Sequence, residues 1–95
     1  MKIEIHAKTD CPYCNMAKNH LTNHGLPYVE SLYDEAEQRQ MMYDQFGLSG
    51  DQRTVPQIVL VEDSGQTILI GGYTDLLESE VVARYVDDFE TADDD

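Results

Sequence analysis

Two cysteines separated by two residues, Cys11 and Cys14, are the side chains of this sequence best suited to covalent chemistry. The chain has no other cysteine. A structural disulfide framework normally uses more cysteines and is typical of secreted proteins, whereas a lone C-x-x-C pair favours redox chemistry. A thiol becomes a nucleophile only after it has lost its proton. The pair therefore predicts thiol–disulfide exchange that starts from a thiolate.

The segments on either side of the pair predict where it lies in the fold. Residues 2–6 alternate between polar and apolar side chains, which indicates a strand, and a helix is predicted from Pro12 to about His24. Cys11 then lies between the end of a strand and the start of a helix. Unpaired N–H groups and the helix dipole favour an anion at that point.

These surroundings predict different roles for the two sulfurs. We expect the helix terminus and Lys8 together to outweigh Asp10 and to lower the thiol pKa of Cys11 from about 8.5 toward neutrality or below. Cys14 lies one helical turn later, where a small distortion of that turn would let a disulfide form reversibly. Since Cys14 is expected to be the less exposed of the two, it is predicted to be the resolving thiol.

Zinc binding is an alternative for these thiols, because His20 and His24 follow the cysteines. In one continuous helix, however, His24 would lie roughly 15 Å along the axis from Cys14. Zinc ligands must lie within about 2.3 Å of a single ion. We therefore expect no metal site and interpret the two histidines as a solvated pair.

The rest of the chain predicts further elements in an alternating order. They are a strand at residues 28–32, a helix at 35–46, a hairpin of strands at 57–61 and 67–70 around a turn at 63–65, and a last helix capped by Thr74. The helix residues assigned to buried faces are Met16, Ala17, Leu21, Met41, Met42, Phe46, Leu76, Leu77, Val81, Val82, Tyr85 and Val86. The expected fold is an α/β domain with a mixed four-stranded sheet flanked by three helices, in the order β-α-β-α-β-β-α.

Composition and charge limit the possible classes of protein. The 95 residues suffice for one domain, predicted over residues 1–90, before an acidic tail at 91–95 that we expect to be disordered. Six basic against nineteen acidic residues give a net charge of −13, which disfavours nucleic acid as a partner. No apolar run approaches the length of a membrane span or a signal peptide, so a cytoplasmic protein without membrane contacts is expected. We also expect a monomer.

Three short motifs, in this order, resemble the dithiol glutaredoxin family. They are Cys11-Pro12-Tyr13-Cys14 after a strand, Thr54-Val55-Pro56 before a strand, and Gly71-Gly72-Tyr73-Thr74-Asp75 before the last helix. The resemblance covers nearly the whole chain, whereas a C-x-x-C motif alone would also fit thioredoxins. It implies a thioredoxin-like fold and a glutathione-dependent thiol–disulfide oxidoreductase.

The resemblance also implies a glutathione-binding groove beside the cysteines. Pro56 matches the family's cis-proline. Thr54 and Val55 precede it, and the backbone of Val55 would pair with an extended glutathione. Thr74 and Asp75 match the positions that hold the γ-glutamyl end: a helix N-terminus for its carboxylate and an acid for its amino group.

The other end of glutathione is assigned by the same resemblance. Lys8 matches a lysine near the glycyl carboxylate, and Tyr13 matches an aromatic residue that forms a wall of the groove. Arg39 or Gln40, on the second predicted helix, is a further candidate for binding that carboxylate.

The implied activity is reduction of protein disulfides and protein–glutathione mixed disulfides through Cys11 and Cys14. Glutathione would be a co-substrate, with no tightly bound cofactor. One alternative is a thioredoxin-like electron donor to an enzyme such as ribonucleotide reductase, which a flavoprotein reductase would reduce. Another is a non-catalytic module that holds an iron–sulfur cluster with glutathione, although relatives that do so usually have Cys-Gly-Phe-Ser in place of this motif.

Overall fold

The structure is a computed structural model, and it describes residues 2–79 of the chain. The predicted order of elements is confirmed: β1 is Lys2–Ala7, α1 is Pro12–Asn23, β2 is Tyr28–Leu32, α2 is Ala36–Gln45, β3 is Gln57–Val61, β4 is Thr67–Gly71 and α3 is Tyr73–Glu78. A short 3₁₀ turn, Gly50–Gln52, lies between α2 and β3. The end of the predicted domain, the tail at 91–95, and Val81, Val82, Tyr85 and Val86 lie outside the described residues.

The four strands form one mixed sheet in the order β2-β1-β3-β4. The first two strands are parallel, as a βα connection dictates, and the other two pairs are antiparallel. This is the predicted thioredoxin-like arrangement. Among the residues from 2 to 79, no helix has the length and apolar character needed to cross a bilayer.

The sheet register brings three chain segments to one end of the sheet. Near the end of β1, His6 pairs with Gln57, the first residue of β3. Near the start of β3, Ile58 pairs with Gly71, the last residue of β4. Three segments therefore meet at this end of the sheet: the loop after β1, the loop before β3 and the turn after β4. Each of them carries one of the three motifs.

The main core lies between the sheet and helices α1 and α3. It is built from buried side chains of all these elements: Ile3, Ile5, Ala7, Cys11, Cys14, Ala17, Leu21, Leu26, Ile58, Leu60 and Leu76. A second, smaller cluster of Met42, Tyr43 and Leu48 packs with Tyr33, Phe46 and Val55 under α2. Both cysteines thus belong to the main core.

Three helix residues that the sequence assigned to buried faces are exposed, so those assignments were wrong. Met16, Met41 and Leu77 each face solvent. In α1 the buried positions are Cys14, Ala17 and Leu21, a spacing that turns Met16 to the opposite face of the helix. In the same way, Met41 and Leu77 each lie about 100° around the helix from a fully buried neighbour, Met42 or Leu76.

A matched pair of leucines tests the importance of the core. Leu60 in β3 is fully buried, whereas Leu32 at the end of β2 is 51% exposed. Leu60→Ala should lower the free energy of unfolding by about 2–5 kcal/mol, because it leaves a cavity between sheet and helices. Leu32→Ala should change it by no more than about 0.5 kcal/mol. Urea unfolding of the oxidised proteins measures both values, and equal losses would contradict this placement of the core.

Candidate active site

Cys11 is the residue that immediately precedes helix α1. Its backbone is extended (φ −112°, ψ 107°), so it serves as the N-cap, and Pro12 occupies the first helical position as predicted. Cys11 and Cys14 are joined by a disulfide, with their Cα atoms 5.2 Å apart. The extended N-cap conformation of Cys11 places its side chain over the first turn of α1, next to Cys14.

The start of α1 directs polar groups at the sulfur of Cys11. The backbone N–H of Cys14 donates to Cys11 Sγ at 3.2 Å, and the first turn of the helix contains no acidic side chain. An N–H donor aimed at sulfur stabilises a thiolate more than a thiol, because a hydrogen bond to an ionised acceptor is the stronger one. Cys11 is 5% exposed and Cys14 fully buried, which is the predicted order of exposure.

The loop between β1 and Cys11 is tied to the end of β2. The backbone N–H of Thr9 donates to one carboxylate oxygen of Asp34 at 2.7 Å, and the Thr9 hydroxyl donates to the other at 2.9 Å. These two bonds hold the pKa of Asp34 below its usual value, and the positive charges of Arg39 and Lys8 act in the same direction. Asp10, in the same loop, has a positive φ of 57°, a conformation that aspartate adopts more readily than most residues.

A groove of about 670 Å³ opens beside the disulfide. Six of the predicted glutathione-binding residues line it: Tyr13, Thr54, Val55, Pro56, Thr74 and Asp75. Cys11 Sγ lies 3.8 Å from the carbonyl oxygen of Val55, a van der Waals contact since a disulfide sulfur carries no proton. Lys8 is not among the lining residues.

The peptide bond between Val55 and Pro56 is cis, as the resemblance implied. Gln57 anchors this loop, because its buried side-chain amide donates to the carbonyl oxygens of Thr54 at 2.8 Å and Gln52 at 3.1 Å. Gln57 was not predicted from the sequence, although a polar residue at the start of an apolar strand is a usable signal. The N–H of Val55 has no hydrogen-bond partner within the described part of the chain. It is therefore available to an extended peptide in the groove.

The opposite wall of the groove is the turn into α3. Thr74 was predicted to cap this helix, but the N-cap is Gly72 and Thr74 is the second helical residue. The prediction failed because Asp75 reaches back, and its Oδ2 accepts from the Gly72 N–H at 3.0 Å. This is one half of a capping box, since glycine has no side chain to return the bond.

Two tyrosines contribute to the same groove. Tyr13, in the first turn of α1, is 61% exposed, and its ring centroid lies 6.4 Å from that of Tyr73 at the start of α3. Both rings line the groove. They form an aromatic wall close to the disulfide, where the resemblance had placed Tyr13.

The basic and amide side chains suggested for the glycyl carboxylate are engaged elsewhere. Arg39 donates to the carbonyl oxygens of Tyr33 and Asp34, each at 2.9 Å. Gln40 accepts a hydrogen bond from Arg53. Neither Arg39 nor Gln40 lines the groove.

The two histidines of α1 lie against each other, with ring centroids 4.5 Å apart in an edge-to-face arrangement. Burial, and then the neighbouring His24, lower the pKa of His20. Within residues 2–79 no group of three or more histidine, cysteine or acidic side chains is arranged to hold a metal ion.

A family model and several solved structures place the chain in one family. The family model described as Glutaredoxin matches residues 3–64. The chain is similar to the crystal structure of glutaredoxin 1 from Francisella tularensis complexed with cacodylate, at 31% identity over 81% of this chain and 88% of that chain, with a TM-score of 0.64. It is also similar to the solution structure of glutaredoxin from Brucella melitensis, at 28% identity over 82% and 76% of the two chains, with a TM-score of 0.58.

A third solved structure shares the fold. The buckwheat glutaredoxin–glutathione complex is 24% identical over 88% of this chain and 72% of that chain, with a TM-score of 0.63. A comparison with curated proteins found no significant match.

A pair of glycines tests how the α3 wall is held. Gly71 and Gly65 both have positive φ, 116° and 92°, so alanine is strained at either position. Only at Gly71 would a Cβ collide with the capping side chain, 2.9 Å from Cγ of Asp75, whereas a Cβ at Gly65 meets nothing within 4 Å. Gly71→Ala should therefore destabilise the protein more than Gly65→Ala, which should cost about 1 kcal/mol or slightly more.

Urea unfolding measures this difference. Amide chemical shifts report its location, because Gly71→Ala should move the Gly72 N–H signal that Asp75 binds. Equal destabilisation, with no change at Gly72, would contradict the described contact.

Proposed function

The chain belongs to the glutaredoxin family and is a thiol–disulfide oxidoreductase, and from this premise we propose that it takes its electrons from glutathione. We propose protein disulfides and protein–glutathione mixed disulfides as its substrates. The observation that carries this proposal is a redox-active disulfide at a helix start, in contact with the cis-proline loop of an open groove.

The proposed cycle starts from the reduced protein, with Cys11 as a thiolate and Cys14 as a thiol. The Cys11 thiolate attacks one sulfur of a substrate disulfide, and the other sulfur leaves as a thiolate that takes up a proton. With a protein–glutathione mixed disulfide, the glutathionyl group stays on Cys11, and a second glutathione removes it as oxidised glutathione. With a protein disulfide, Cys14 displaces the substrate, and the resulting Cys11–Cys14 disulfide is reduced by two glutathiones.

The geometry of the groove supports a peptide-like co-substrate. The Val55 N–H, which has no partner among residues 2–79, can pair with the backbone of the cysteinyl residue of glutathione, beside the sulfur that would form the mixed disulfide. Asp75 lines the same groove and offers a carboxylate to the γ-glutamyl amino group. The resemblance assigns the glycyl carboxylate to Lys8, so the bound tripeptide would extend beyond the groove toward that residue.

A relative gives independent support for the reductant. The buckwheat glutaredoxin, which shares the fold, was solved as a complex with glutathione. The proposed position of glutathione in this chain rests on its own groove residues. No observation favours a donor that depends on a flavoprotein reductase.

Serine variants of the two cysteines test the proposed roles. In a coupled assay with glutathione, glutathione reductase and a small glutathione mixed disulfide, Cys11→Ser should abolish turnover because it removes the nucleophile. Cys14→Ser should keep part of the activity, because a second glutathione can resolve the intermediate on Cys11. The rate of NADPH oxidation measures both.

The same assay can refute the proposal. Equal loss of activity in both variants would contradict the assignment of Cys11 as the attacking thiol. Absence of turnover in the unchanged protein at any glutathione concentration, although the reduced protein still reacts with disulfides, would refute glutathione as the reductant.

A further inference from the structure

The charged side chains of the groove are all acidic within the part of the chain that the structure describes. Among residues 2–79, Asp51 and Asp75 are its only charged lining residues, and no lysine or arginine of that range lines it. The two acids belong to different walls, since Asp51 is in the 3₁₀ turn before the cis-proline and Asp75 is in α3. Both carboxylates are exposed, so a bound substrate can reach them.

The cation nearest in sequence to the groove is held outside it. Arg53 lies between the lining residues Gln52 and Thr54, yet it does not line the groove itself. Its Nε donates to the carbonyl oxygen of Leu48 at 2.9 Å, and its terminal nitrogens bind side chains of α2, Asp44 among them. The negative charge of Asp51 is therefore not neutralised by its neighbour.

An independent feature of the groove also suits a cation. Tyr13 and Tyr73 place two aromatic rings on its wall, 6.4 Å apart between centroids. The face of a tyrosine ring attracts ammonium and guanidinium groups through its quadrupole. Carboxylates and aromatic faces together form the usual surroundings of a bound lysine or arginine side chain.

We propose that this groove selects disulfide substrates in which a lysine or arginine flanks the half-cystine. The selection rests on the thiol–disulfide exchange of the proposed function, but not on glutathione as the reductant. The net charge of −13 acts in the same direction over longer distances, because it attracts cationic substrates and repels anionic ones. Glutathione, with two carboxylates and one ammonium, fits these charges less well than a cationic peptide does.

The exchange step needs no further reactant. The Cys11 thiolate attacks the peptide sulfur of the substrate, the S–S bond breaks, and the partner sulfur leaves as a thiolate. Cys14 then loses its proton and attacks Cys11, which forms the Cys11–Cys14 disulfide and releases the peptide thiolate. The protein loses two electrons and the substrate gains two. The proton from Cys14 passes through solvent to the released thiolates.

A pair of chromogenic peptides tests the selection. Two short capped peptides, one with Lys-Cys-Lys and one with Glu-Cys-Glu, are each coupled to thionitrobenzoate as a mixed disulfide. Release of thionitrobenzoate is followed by stopped flow with the pre-reduced full chain and without glutathione. Each rate is divided by the rate with 2-mercaptoethanol, which removes the intrinsic difference in reactivity between the two peptides.

The cationic peptide should react about tenfold faster or more at low ionic strength, a size typical of electrostatic steering. The ratio should fall toward one in about 1 M salt, where the screening length is about 3 Å. Asp51→Asn should lower the low-salt ratio, whereas Glu37→Gln should leave it nearly unchanged. Glu37 is an exposed acid in the first turn of α2, outside the groove, so it controls for the loss of one charge. Asp75 is left intact because it caps α3.

Equal normalised rates for the two peptides at low salt would overturn the proposal. It would also fail if Glu37→Gln lowered the ratio as much as Asp51→Asn, since the effect would then come from net charge alone.

A protein that discriminates between the peptides but is inactive with glutathione would support this selection and refute glutathione as the reductant. A protein that is active with glutathione but does not discriminate would refute only the selection. No release from either peptide would refute both the exchange chemistry and the selection.

Discussion

The backbone N–H of Cys14 points at the sulfur of Cys11, and the rest of the site is arranged around this contact. It exists because Cys11 lies one residue before the helix, in an extended conformation, so that its side chain folds over the first turn. Pro12 supports the same geometry, since its ring favours the first helical position and removes an N–H that would need another partner. The contact brings together the two conditions that exchange chemistry needs. The sulfur of Cys11, the proposed attacking atom, is bonded to that of Cys14, the proposed resolving atom, and a thiolate at Cys11 would face a hydrogen-bond donor.

The sheet determines what else reaches this sulfur. Because β1, β3 and β4 are consecutive antiparallel neighbours, the end of one and the beginning of the next lie side by side. The loops at that edge come from distant parts of the sequence, yet they form a single groove. Each loop is held by a polar side chain that binds backbone groups: Asp34 for the loop before Cys11, Gln57 for the cis-proline loop, and Asp75 for the turn into α3. The groove is thus built from backbone held by side chains, and the Val55 N–H has no partner among residues 2–79.

Most of the fold could be predicted from the sequence, because strands and helices leave periodic patterns. The strand assignments at 28–32 and 57–61 agree with the structure at both ends. The assignment of single side chains to buried faces was less successful, since Met41 and Met42 are equally apolar and only the packing decides which one is covered. The polar side chains that hold the loops were the hardest to predict. Asp34 binds a loop 25 residues away in the chain, and no local pattern records such a contact.

At the site itself, the motifs identified which residues would meet, but not how they would be held. Six of the predicted groove residues line one cavity, which spacing along the chain alone could not establish. Thr74 was misjudged as a cap because a threonine at a helix start is a strong local signal. The following aspartate overrode it by reaching back to Gly72. The groove keeps its acidic character because Arg53 directs its guanidinium group at side chains of α2. The sequence alone does not show this contact.

The burial of both cysteines in the main core links electron transfer to folding. Cys14 packs in the same cluster as Ala17 and Leu60, so the core must pack around a disulfide in one oxidation state and around two thiols in the other. Folding and reduction then form a closed thermodynamic cycle in which each equilibrium biases the other by the same amount. A core substitution that weakens the dithiol form more than the disulfide form makes the protein a stronger reductant, by about 30 mV for each 1.4 kcal/mol of difference. Packing far from the groove can in this way adjust the driving force of the reaction without touching a substrate.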